Sequence, residues 1–425
     1  MKRLVINGGK KLFGEIEVGG AKNAVLPIIA ASLLSSEEVI LDDVPDLLDV
    51  SIMSQVVRAL GGEVTRQGST LKIKAENFDN FEAPFDLITK MRASIVIMGP
   101  VLARKGRVRI SHPGGCAIGS RPVNWHLKGL ESLGAEVRID HGYLDVTAPK
   151  LVGSRIYLDF PSVGATENIL MAAAVAEGTT IIENAAQEPE IVDLANFINQ
   201  IGGKIRGAGT NIINIEGVKE FSGTRHTIIP DRIEAGTFIL MAAACGGDVL
   251  INNVISTHLA PLLAKLDEAK IHYEEMEDGI RVYGNDSFQA VDIKTQVHPG
   301  FPTDLQAPFL ALLTRAKGTA IVTENIFENR FMHVDELKRM GADLKVEGRS
   351  VIVQGVPFLN PATLMATDLR AGAALILAAL TAQGRSEIWE IQHIDRGYEN
   401  IENKLRGIGA DIERVDDSGQ AAADS

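Results

Sequence analysis

Cysteine is scarce in this chain: Cys116 and Cys245 are the only two among its 425 residues. One lies in a loop-like stretch and the other near the end of a helix-like stretch, so we expect no structural disulfide. This usage fits a reducing compartment such as the cytoplasm. The sequence also has no Cys/His cluster with the spacing of a zinc site, so it predicts no metal.

Long apolar runs are missing as well. No apolar run reaches the ~18–20 residues that a membrane-spanning helix needs. At the N-terminus only Leu4, Val5 and Ile6 form an apolar run after two basic residues. That run is too short for a signal peptide, because the apolar region of such a peptide has about 7–15 residues. We therefore expect a cytoplasmic protein.

Positive charge is in the minority. The chain has 42 lysines and arginines against 55 acidic residues, for a formal net charge of −13. A protein this acidic is a poor candidate for non-specific binding to nucleic acid or to an anionic membrane. An anionic small molecule could still bind where arginines and lysines concentrate locally. The length predicts roughly two or three domains.

A short pattern recurs along the chain: an aliphatic residue, Gly, then Gly or Ala, any residue, and another aliphatic residue. It stands at 60–64, 133–137, 201–205, 340–344 and 408–412, and a degenerate copy at 268–271 has Glu268 at the glycine position. Such a glycine can close a helix in the left-handed conformation, and the residues after it can start a strand. A shift of about 207 residues carries the first three copies onto the last three, which predicts a duplicated threefold repeat.

A second helix with a polar start and an apolar body also recurs. The stretches begin at 20–25, 91–96, 164–169, 233–238, 303–308 and 367–372. Because they are apolar nearly all round, these helices should be buried at the centre of each half. Their N-termini could converge and bind an anion through free N–H groups. The alternative is that they are only capped core helices.

The run from His112 to Asn124 contains three glycines, two prolines and a serine. Such a run favours a surface loop over a helix or a central strand. Cys116 stands at its centre, with Arg121 five positions later. A thiol near a cation and free N–H groups can have its pKa lowered from ~8.5, and can then act as a nucleophile or proton donor. The alternative is a flexible turn that carries a small apolar side chain.

The Pro-Gly-Gly-Cys and Ile-Gly-x-Arg-Pro segments of this run closely resemble the active-site loop of enolpyruvyl transferases that act on UDP-N-acetylglucosamine. The resemblance extends over about residues 1–415. It implies an α/β fold of two domains, each an inside-out α/β barrel with helices inside and sheets outside. Each domain would contain three strand–helix–strand–helix–strand–strand units.

The resemblance also implies domain boundaries. Residues 21–230 would form a first domain that carries the loop at 112–122, and residues 1–20 with 231–418 would form the second. Residues 419–425 are small and polar, and we expect a disordered tail there.

Site residues follow from the same resemblance. Cys116 would protonate the methylene carbon of phosphoenolpyruvate or form a covalent adduct, and Asp304 would take the proton of the sugar 3-hydroxyl. Lys22, Arg121 and Arg396 would hold the carboxylate and phosphate. The implied substrate-binding residues are Lys22, Asn23, Arg92, Arg121, Pro122, Val123, Asn124, Trp125, Ser162, Val163, Gly164, Asp304, Ile326, Arg330, Asp368, Arg370 and Arg396. No metal or organic cofactor is implied.

Several of these residues have plainer explanations when the pattern is considered alone. Lys22 could be an exposed lysine after a turn, and Asp304 could be a carboxylate stabilised by a helix dipole. Arg370 could form an internal ion pair, with Asp368 as the nearest candidate, because an unpaired buried charge costs several kcal/mol.

Two positions near the expected nucleotide site depart from the family. Asn124 stands where the family more often has an aspartate, and Phe160 stands where some members have a lysine. Asn124 therefore offers a neutral side chain on the uridine side, whereas the motifs around Cys116, Asp304 and Lys22 are intact.

The resemblance implies a cytosolic transferase of peptidoglycan synthesis. It would move the enolpyruvyl group of phosphoenolpyruvate to the 3-hydroxyl of UDP-N-acetylglucosamine, through a tetrahedral ketal, and release phosphate. The family is the target of the epoxide antibiotic fosfomycin. Its partners would be the two small substrates, without nucleic acid or membrane.

Two alternatives stay open. One is a transferase like 5-enolpyruvylshikimate-3-phosphate synthase, which shares the fold but lacks the Pro-Gly-Gly-Cys loop and has a Ser-Lys pair at Ala21-Lys22-Asn23. The other is a non-catalytic nucleotide-sugar sensor on the same scaffold, against which the joint presence of Cys116, Asp304 and Lys22 speaks.

Overall fold

The structure is a computed structural model that describes residues 2–112, 118–119, 122–285 and 287–416. Cys116 and Arg121 lie outside the described residues, and so does the expected tail at 419–425.

The strands alternate with helices along the whole chain. They are β1 (Lys2–Asn7), β2 (Leu12–Glu17), β3 (Glu38–Asp42), β4 (Glu63–Gln67), β5 (Thr70–Lys74), β6 (Arg107–Ser111), β7 (Glu136–Asp140), β8 (Tyr143–Thr147), β9 (Arg155–Tyr157), β10 (Thr179–Glu183), β11 (Lys204–Arg206), β12 (Ile212–Glu216), β13 (Thr224–Thr227), β14 (Gly247–Asn252), β15 (His272–Met276), β16 (Gly279–Gly284), β17 (Ile293–Lys294), β18 (Thr319–Thr323), β19 (Asp343–Glu347), β20 (Ser350–Gln354), β21 (Thr363–Met365), β22 (Arg385–Trp389) and β23 (Asp411–Asp416).

The helices include several short 3-10 segments. The α-helices are α1 (Lys22–Ala31), α2 (Leu48–Ala59), α3 (Phe85–Lys90), α4 (Met98–Lys105), α5 (Asn124–Ser132), α6 (Val163–Ala173), α7 (Pro189–Gln200), α8 (Arg232–Cys245), α9 (Ala260–Glu268), α10 (Gln306–Leu313), α11 (His333–Arg339), α12 (Leu369–Thr381) and α13 (Ile401–Gly407). The 3-10 helices are Ser32–Leu34, Arg92–Ile97, Ser256–Leu259, Thr303–Leu305 and Ile391–Arg396.

One strand arrangement recurs in five of the six sheets of the described residues. An edge strand runs parallel to its neighbour, and the two remaining strands continue the sheet in antiparallel order. The orders are β9-β10-β12-β11, β13-β3-β5-β4, β2-β14-β16-β15, β17-β18-β20-β19 and β21-β22-β1-β23. In the sixth sheet, β6-β8-β7, a single parallel bridge between Glu82 and Arg109 takes the place of the edge strand.

The predicted repeat is thereby confirmed, together with the α/β class. The copy β9-α6-β10-α7-β11-β12 shows the strand–helix–strand–helix–strand–strand order without interruption. In each copy the helix after the edge strand is buried and the sheet covers it on the outside. In α12, for example, every residue from Arg370 to Thr381 is buried.

Contacts divide the described residues into two units. Residues 20–112 and 122–229 form one, which we call the inserted unit. Residues 2–19, 118–119 and 230–416 form the other, which we call the split unit. Each has its own hydrophobic core.

The chain passes from one unit to the other between a strand and a helix. Strand β2 precedes α1 in the sequence, but it pairs with β14 of the split unit. Strand β13 precedes α8, but it pairs with β3 of the inserted unit. In each unit, one edge strand therefore comes from a part of the chain far in sequence from the strand it pairs with.

Two buried helices begin later than the sequence predicted. Residues Arg92–Ile97 and Thr303–Leu305 form 3-10 helices that lead into α4 and α10. Pro100 and Pro308 are each the third residue of the following α-helix and have no N–H to bond the carbonyl four residues earlier. This lack of a donor favours an α-helix that starts near the proline.

The predicted helix ends are confirmed at five of the six copies. The glycines take positive φ angles: Gly61 +100°, Gly134 +95°, Gly202 +113°, Gly341 +87° and Gly409 +95°. In the degenerate copy our placement was wrong, because the left-handed residue is Lys270, with φ +61°, and not Glu268, which is the last residue of α9. The pattern is therefore shifted by two residues in that copy.

Among the described residues, no helix is both long enough and apolar enough to cross a membrane.

Replacing Lys270 by glycine should stabilise the protein. A residue with a Cβ atom is strained in the left-handed region by about 1–2 kcal/mol, whereas glycine there costs only its greater freedom in the unfolded chain, about 0.5–1 kcal/mol. We expect Lys270→Gly to raise the free energy of unfolding in urea by roughly 0.5–1 kcal/mol.

The matched control is the reverse change at Gly409, which has φ +95° and whose added Cβ would meet nothing nearer than 3.9 Å. Gly409→Lys should lower the free energy of unfolding, since only the backbone conformation opposes it. A change of the same sign in the free energy of unfolding of both variants would contradict this account.

Candidate active site

A carboxylate held by two arginines lies in the split unit. Asp304 is in the 3-10 helix that precedes α10. Its Oδ1 is 2.7 Å from Nη2 of Arg330, and its Oδ2 is 3.0 Å from Nη2 of Arg370. Both arginines are nearly inaccessible, with 5% and 3% of their surface exposed, whereas the Asp304 side chain is 24% exposed. The carboxylate is therefore the accessible part of this cluster.

The two arginines determine the charge state of Asp304. Burial raises the pKa of Asp304, but the positive charges and hydrogen bonds of Arg330 and Arg370 outweigh burial and hold that pKa well below its usual range. The group is thus an ionised hydrogen-bond acceptor throughout the physiological pH range.

Arg370 is the second residue of α12, and its surroundings differ from the expected pairing. Asp368 does not form the internal ion pair that we considered, because its Oδ1 caps the helix by accepting from the N–H groups of Arg370 and Ala371 at 2.9 and 3.0 Å. The guanidinium pairs with Asp304 instead and lies 5.3 Å from the ring centroid of Tyr398. The residues at the starts of α10 and α12 therefore meet at Asp304.

His333 begins α11 in the same region and is 1% exposed. Burial lowers the pKa of His333 to about 4, with Arg330 acting in the same direction and Asp368 opposing it. The imidazole is therefore neutral near pH 7 and adds no charge to the arginine cluster.

Other predicted residues of the split unit are near this cluster in the sequence. Ile326 is half-buried in the segment between β18 and α11, and Arg396 is half-buried at the end of the 3-10 helix Ile391–Arg396. Ile118 accepts a hydrogen bond from the N–H of Asn329 at 3.1 Å. At Gly119, with φ +144°, a Cβ atom would collide with Glu328, so this position requires glycine.

Lys22 is the first residue of α1 in the inserted unit. Its Nζ is 2.7 Å from Oδ2 of Asp49, and the two side chains are 11% and 1% exposed. The alternative of an exposed lysine is therefore wrong. A buried ion pair keeps the ammonium charged and fixes its position. Asn23 follows it and is half-buried.

A buried amide fixes the tautomer of His126, a residue of α5. Oδ1 of Asn168 accepts from the N–H of Gly99 at 2.7 Å, so its Nδ2 carries both donated hydrogens. One goes to the carbonyl of Ile95 at 3.0 Å, and the other goes to Nδ1 of His126 at 2.7 Å. Nδ1 is thus an acceptor, and the imidazole carries its proton on Nε2.

The environment keeps this imidazole neutral. Burial, followed by the positive charge of Arg92, lowers the pKa of His126 to about 4. Arg92 is the first residue of the 3-10 helix Arg92–Ile97 and is half-buried. The ring lies against the start of α6, where a Cβ atom on Gly164 would be 3.0 Å from Cε1 of His126.

The start of α6 and the start of α5 carry the remaining predicted residues. Ser162 caps α6 by accepting from the N–H of Ala165 at 3.4 Å, and Val163 and Gly164 are its first two residues. Trp125 stacks on Phe160, with ring centroids 5.3 Å apart and planes inclined by 19°. Of the other predicted residues, Pro122 and Asn124 are exposed and Val123 is buried.

Comparison with known proteins shows the family of this chain. The family profile for EPSP synthase (3-phosphoshikimate 1-carboxyvinyltransferase) matches residues 6–405. The chain belongs to the EPSP synthase family of enolpyruvyl transferases.

Among its relatives, this enolpyruvyl transferase is similar to UDP-N-acetylglucosamine 1-carboxyvinyltransferase 1 of Caldanaerobacter subterraneus subsp. tengcongensis. The two are 57% identical over 97% of this chain and 99% of the relative. It is also 56% identical to UDP-N-acetylglucosamine 1-carboxyvinyltransferase 2 of Carboxydothermus hydrogenoformans, over 98% of this chain and all of that one (100%).

Solved structures show the same fold. The enolpyruvyl transferase NikO from Streptomyces tendae superimposes with a TM-score of 0.89 at 26% identity, covering 97% of this chain and 99% of that one. EPSP synthase from Acinetobacter baumannii gives a TM-score of 0.74 at 18% identity, over 98% of this chain and 100% of its own, and supports the fold alone.

Sequence reasoning missed the partners that hold the transferase's predicted residues in place. Asp49, which pairs with Lys22, lies in α2 and carried no motif. Asn168 and His126, which hydrogen-bond to each other, lie on different helices. The polar run Thr166-Glu167-Asn168 within α6, a helix expected to be buried, was the one available signal. Within the described residues, no group of three or more His, Cys, Asp or Glu is placed to hold a metal ion.

The two buried imidazoles should stay neutral well below pH 6. Histidine-selective NMR at pH 5.5 should show His126 and His333 as neutral rings, because their pKa is lowered to about 4. For His126 the proton should be on Nε2. The variants His126→Gln and His333→Gln identify the two signals, and an imidazolium signal for either ring at that pH would contradict the burial argument.

The lowered pKa of these two histidines also predicts that the protein loses stability in mild acid. An unfolded histidine binds a proton below about pH 6.5, whereas these folded rings bind one only near pH 4, so the unfolded state binds more protons in this window. The free energy of unfolding should therefore fall as pH drops from 6.5 to 4, by roughly 1.4 kcal/mol per pH unit for each ring.

Proposed function

We propose that this chain transfers the enolpyruvyl group of phosphoenolpyruvate to the 3-hydroxyl of UDP-N-acetylglucosamine and releases phosphate, in the first committed step of peptidoglycan synthesis. The observation that carries the proposal is the similarity to UDP-N-acetylglucosamine 1-carboxyvinyltransferases, at 55–57% identity over 97–98% of the chain. The intact Pro-Gly-Gly-Cys loop favours this substrate over 3-phosphoshikimate.

The reaction adds an alcohol across a double bond and then restores that bond. The 3-hydroxyl oxygen bonds to C2 of phosphoenolpyruvate while a proton adds to C3, which gives a tetrahedral ketal. Loss of a proton from C3 and departure of phosphate from C2 then form the enolpyruvyl ether. The protein must accept the hydroxyl proton, supply and remove the C3 proton, and balance the negative charge of carboxylate and phosphate.

Asp304 accepts the hydroxyl proton in this proposal. The ion pairs with Arg330 and Arg370 hold it ionised and in one orientation, so it is always available as an acceptor. Such a low pKa makes it a weak base towards a free alcohol. Proton transfer therefore occurs late, when the new C–O bond has made the hydroxyl strongly acidic.

Cys116 delivers the proton to C3 or forms a covalent adduct at C2, as the resemblance of its loop implies. Lys22, Arg121 and Arg396 neutralise the phosphate and carboxylate. Asp49 supports this role for Lys22, since the 2.7 Å ion pair keeps the ammonium charged in a buried position.

We assign the remaining predicted residues to binding of the nucleotide sugar. We propose that Arg330, Arg370 and Asp368 line the sugar site with Ile326. The other contacts are assigned to Asn23, Arg92, Pro122, Val123, Asn124, Trp125, Ser162, Val163 and Gly164. We assign the diphosphate of the nucleotide sugar to the start of α6, because the positive end of a helix dipole suits an anion.

The domain assignment and location are proposals of the same kind. The division of contacts near residues 20 and 230 supports domains at 21–230 and at 1–20 with 231–418. The scarcity of cysteine and the small anionic substrates support a cytoplasmic location.

A phosphate-release assay tests the substrate choice. With phosphoenolpyruvate present, UDP-N-acetylglucosamine should give steady phosphate release, and 3-phosphoshikimate should give none above background. Turnover with 3-phosphoshikimate instead would favour the other branch of the family. Binding of the nucleotide sugar without turnover would favour a sensor.

Fosfomycin should label Cys116 and spare Cys245. A thiol in a cationic, glycine-rich loop is expected to be reactive, whereas burial raises the pKa of the Cys245 thiol to about 12. Intact-protein mass and peptide mapping should show one adduct, formed faster when UDP-N-acetylglucosamine is present.

The Cys116→Asp variant serves as its control. It keeps an acid at the position but lacks the sulfur nucleophile, so it should resist the epoxide and retain part of the turnover. Labelling at Cys245, or the absence of any adduct with and without the nucleotide sugar, would remove Cys116 from the mechanism.

A further inference from the structure

The residue that follows the second strand of a repeat usually turns the chain in a left-handed conformation. Asp43, Asn184, Asn253 and Glu390 occupy this position with φ angles of +55°, +55°, +58° and +58°. Glu324, which follows β18, is their counterpart and does not share this conformation. The repeat that contains β18 therefore lacks the left-handed turn found at those four positions.

The Glu324 side chain points into the protein and is 1% exposed. Its Oε1 accepts from the hydroxyl of Thr295 at 2.8 Å and from the N–H groups of Ile326 and Phe327 at 2.8 and 3.1 Å. Its Oε2 accepts from the hydroxyl of Thr303 at 2.8 Å. The buried carboxylate is thus satisfied by neutral donors, and its two oxygens have different partners.

Through Thr303, Oε2 of Glu324 is connected to the arginines around Asp304. Nη1 of Arg330 donates to the Thr303 hydroxyl at 2.8 Å, and Nη2 of the same guanidinium reaches Asp304 at 2.7 Å. A hydroxyl has one hydrogen to donate. Because a guanidinium only donates, Thr303 accepts from Arg330, and its own hydrogen goes to Oε2 of Glu324.

We infer that Glu324 is a positioning residue for the proposed transfer, acting through Thr303 to hold Arg330 against Asp304. The inference rests on the proposed function, because it assigns Asp304 the hydroxyl proton. Arg330 is nearly fully buried, so its orientation depends on fixed partners and not on water. Thr303 and Asp304 are adjacent in one 3-10 turn, so the same guanidinium fixes both.

The two oxygens of Glu324 supply an internal control. Thr295 bonds to Oε1 of the same carboxylate but makes no described contact with Arg330. Thr303 bonds to Oε2 and to Arg330. Replacing either threonine by valine removes one hydroxyl from Glu324, but only one replacement interrupts the path to Asp304.

The experiment compares Thr303→Val, Thr303→Ser, Glu324→Gln and Thr295→Val in the full chain. Turnover of phosphoenolpyruvate with UDP-N-acetylglucosamine and the urea midpoint are measured for each. We expect Thr303→Val and Glu324→Gln to lower kcat by about ten- to hundredfold, with KM for both substrates changed less than about threefold. Thr303→Ser keeps the hydroxyl and should restore most of kcat.

Thr295→Val should lower the urea midpoint as the other variants do but leave kcat within about twofold of the wild type. The double variant Thr303→Val/Glu324→Gln should lose little more kcat than either single variant, since both act on one path.

The outcomes separate the inference from the proposed function. Wild-type kcat in Thr303→Val, or an equal loss of kcat in Thr295→Val, would overturn the inference while the wild-type enzyme still turns over. A wild-type protein that releases no phosphate with these substrates would overturn the proposed function, and the inference with it.

Discussion

A helix that is apolar on every side is stable in water only when every side is covered. The buried helix of each repeat has this character, and α8 is buried without interruption from Ile233 to Ala243. One helix cannot cover another on all sides, so the repeat adds a four-stranded sheet to its outer face. Three repeats together then enclose three such helices within a unit.

The same constraint determines where polar residues can go. The first turn of a buried helix, with its unpaired N–H groups, accepts charged and polar side chains at a lower desolvation cost than the rest of the helix. Asp304 and Arg370 stand at such helix starts in the split unit, and Lys22 and Ser162 do so in the inserted unit. The candidate site residues are thus concentrated at the starts of buried helices.

Burying these charges requires partners, and the structure supplies them in pairs. Arg330 and Arg370 share Asp304, and Lys22 has Asp49. Removing one member of such a pair would leave an uncompensated charge, which costs more than the pair contributes. The pairs therefore fix the orientation of each charged group, which the proposed roles of Asp304 and Lys22 both require.

The repeats also show how equivalent positions have diverged. Asn184 and Asn253 use their side-chain amides to bond to the carbonyls of Leu158 and Val18, which ties the second strand to the chain beside it. In the repeat that contains β18, Asn325 makes the corresponding bond, one residue later, to the carbonyl of Thr295 at 3.1 Å. Glu324, which directly follows β18, bonds to hydroxyls and N–H groups near Asp304. One structural position has thus become part of the surroundings of the site in one copy.

The sequence by itself determined the repeat, the α/β class and the helix ends, because glycine spacing and apolar periodicity are local properties. It also singled out Asp304, Arg330 and Arg370 through motif resemblance. It misplaced the helix end at Lys270, since a lysine can adopt the left-handed conformation without a sequence signal.

Only the tertiary structure decided which partner each charge takes. Arg370 pairs with Asp304, 66 residues away, and not with the adjacent Asp368. Glu324 and Thr303 are 21 residues apart and stand in no shared motif. Such pairings depend on which helix starts and strand ends the packed sheets bring within about 3 Å of each other, and hydrogen-bond geometry of that kind is not encoded in any local stretch of residues.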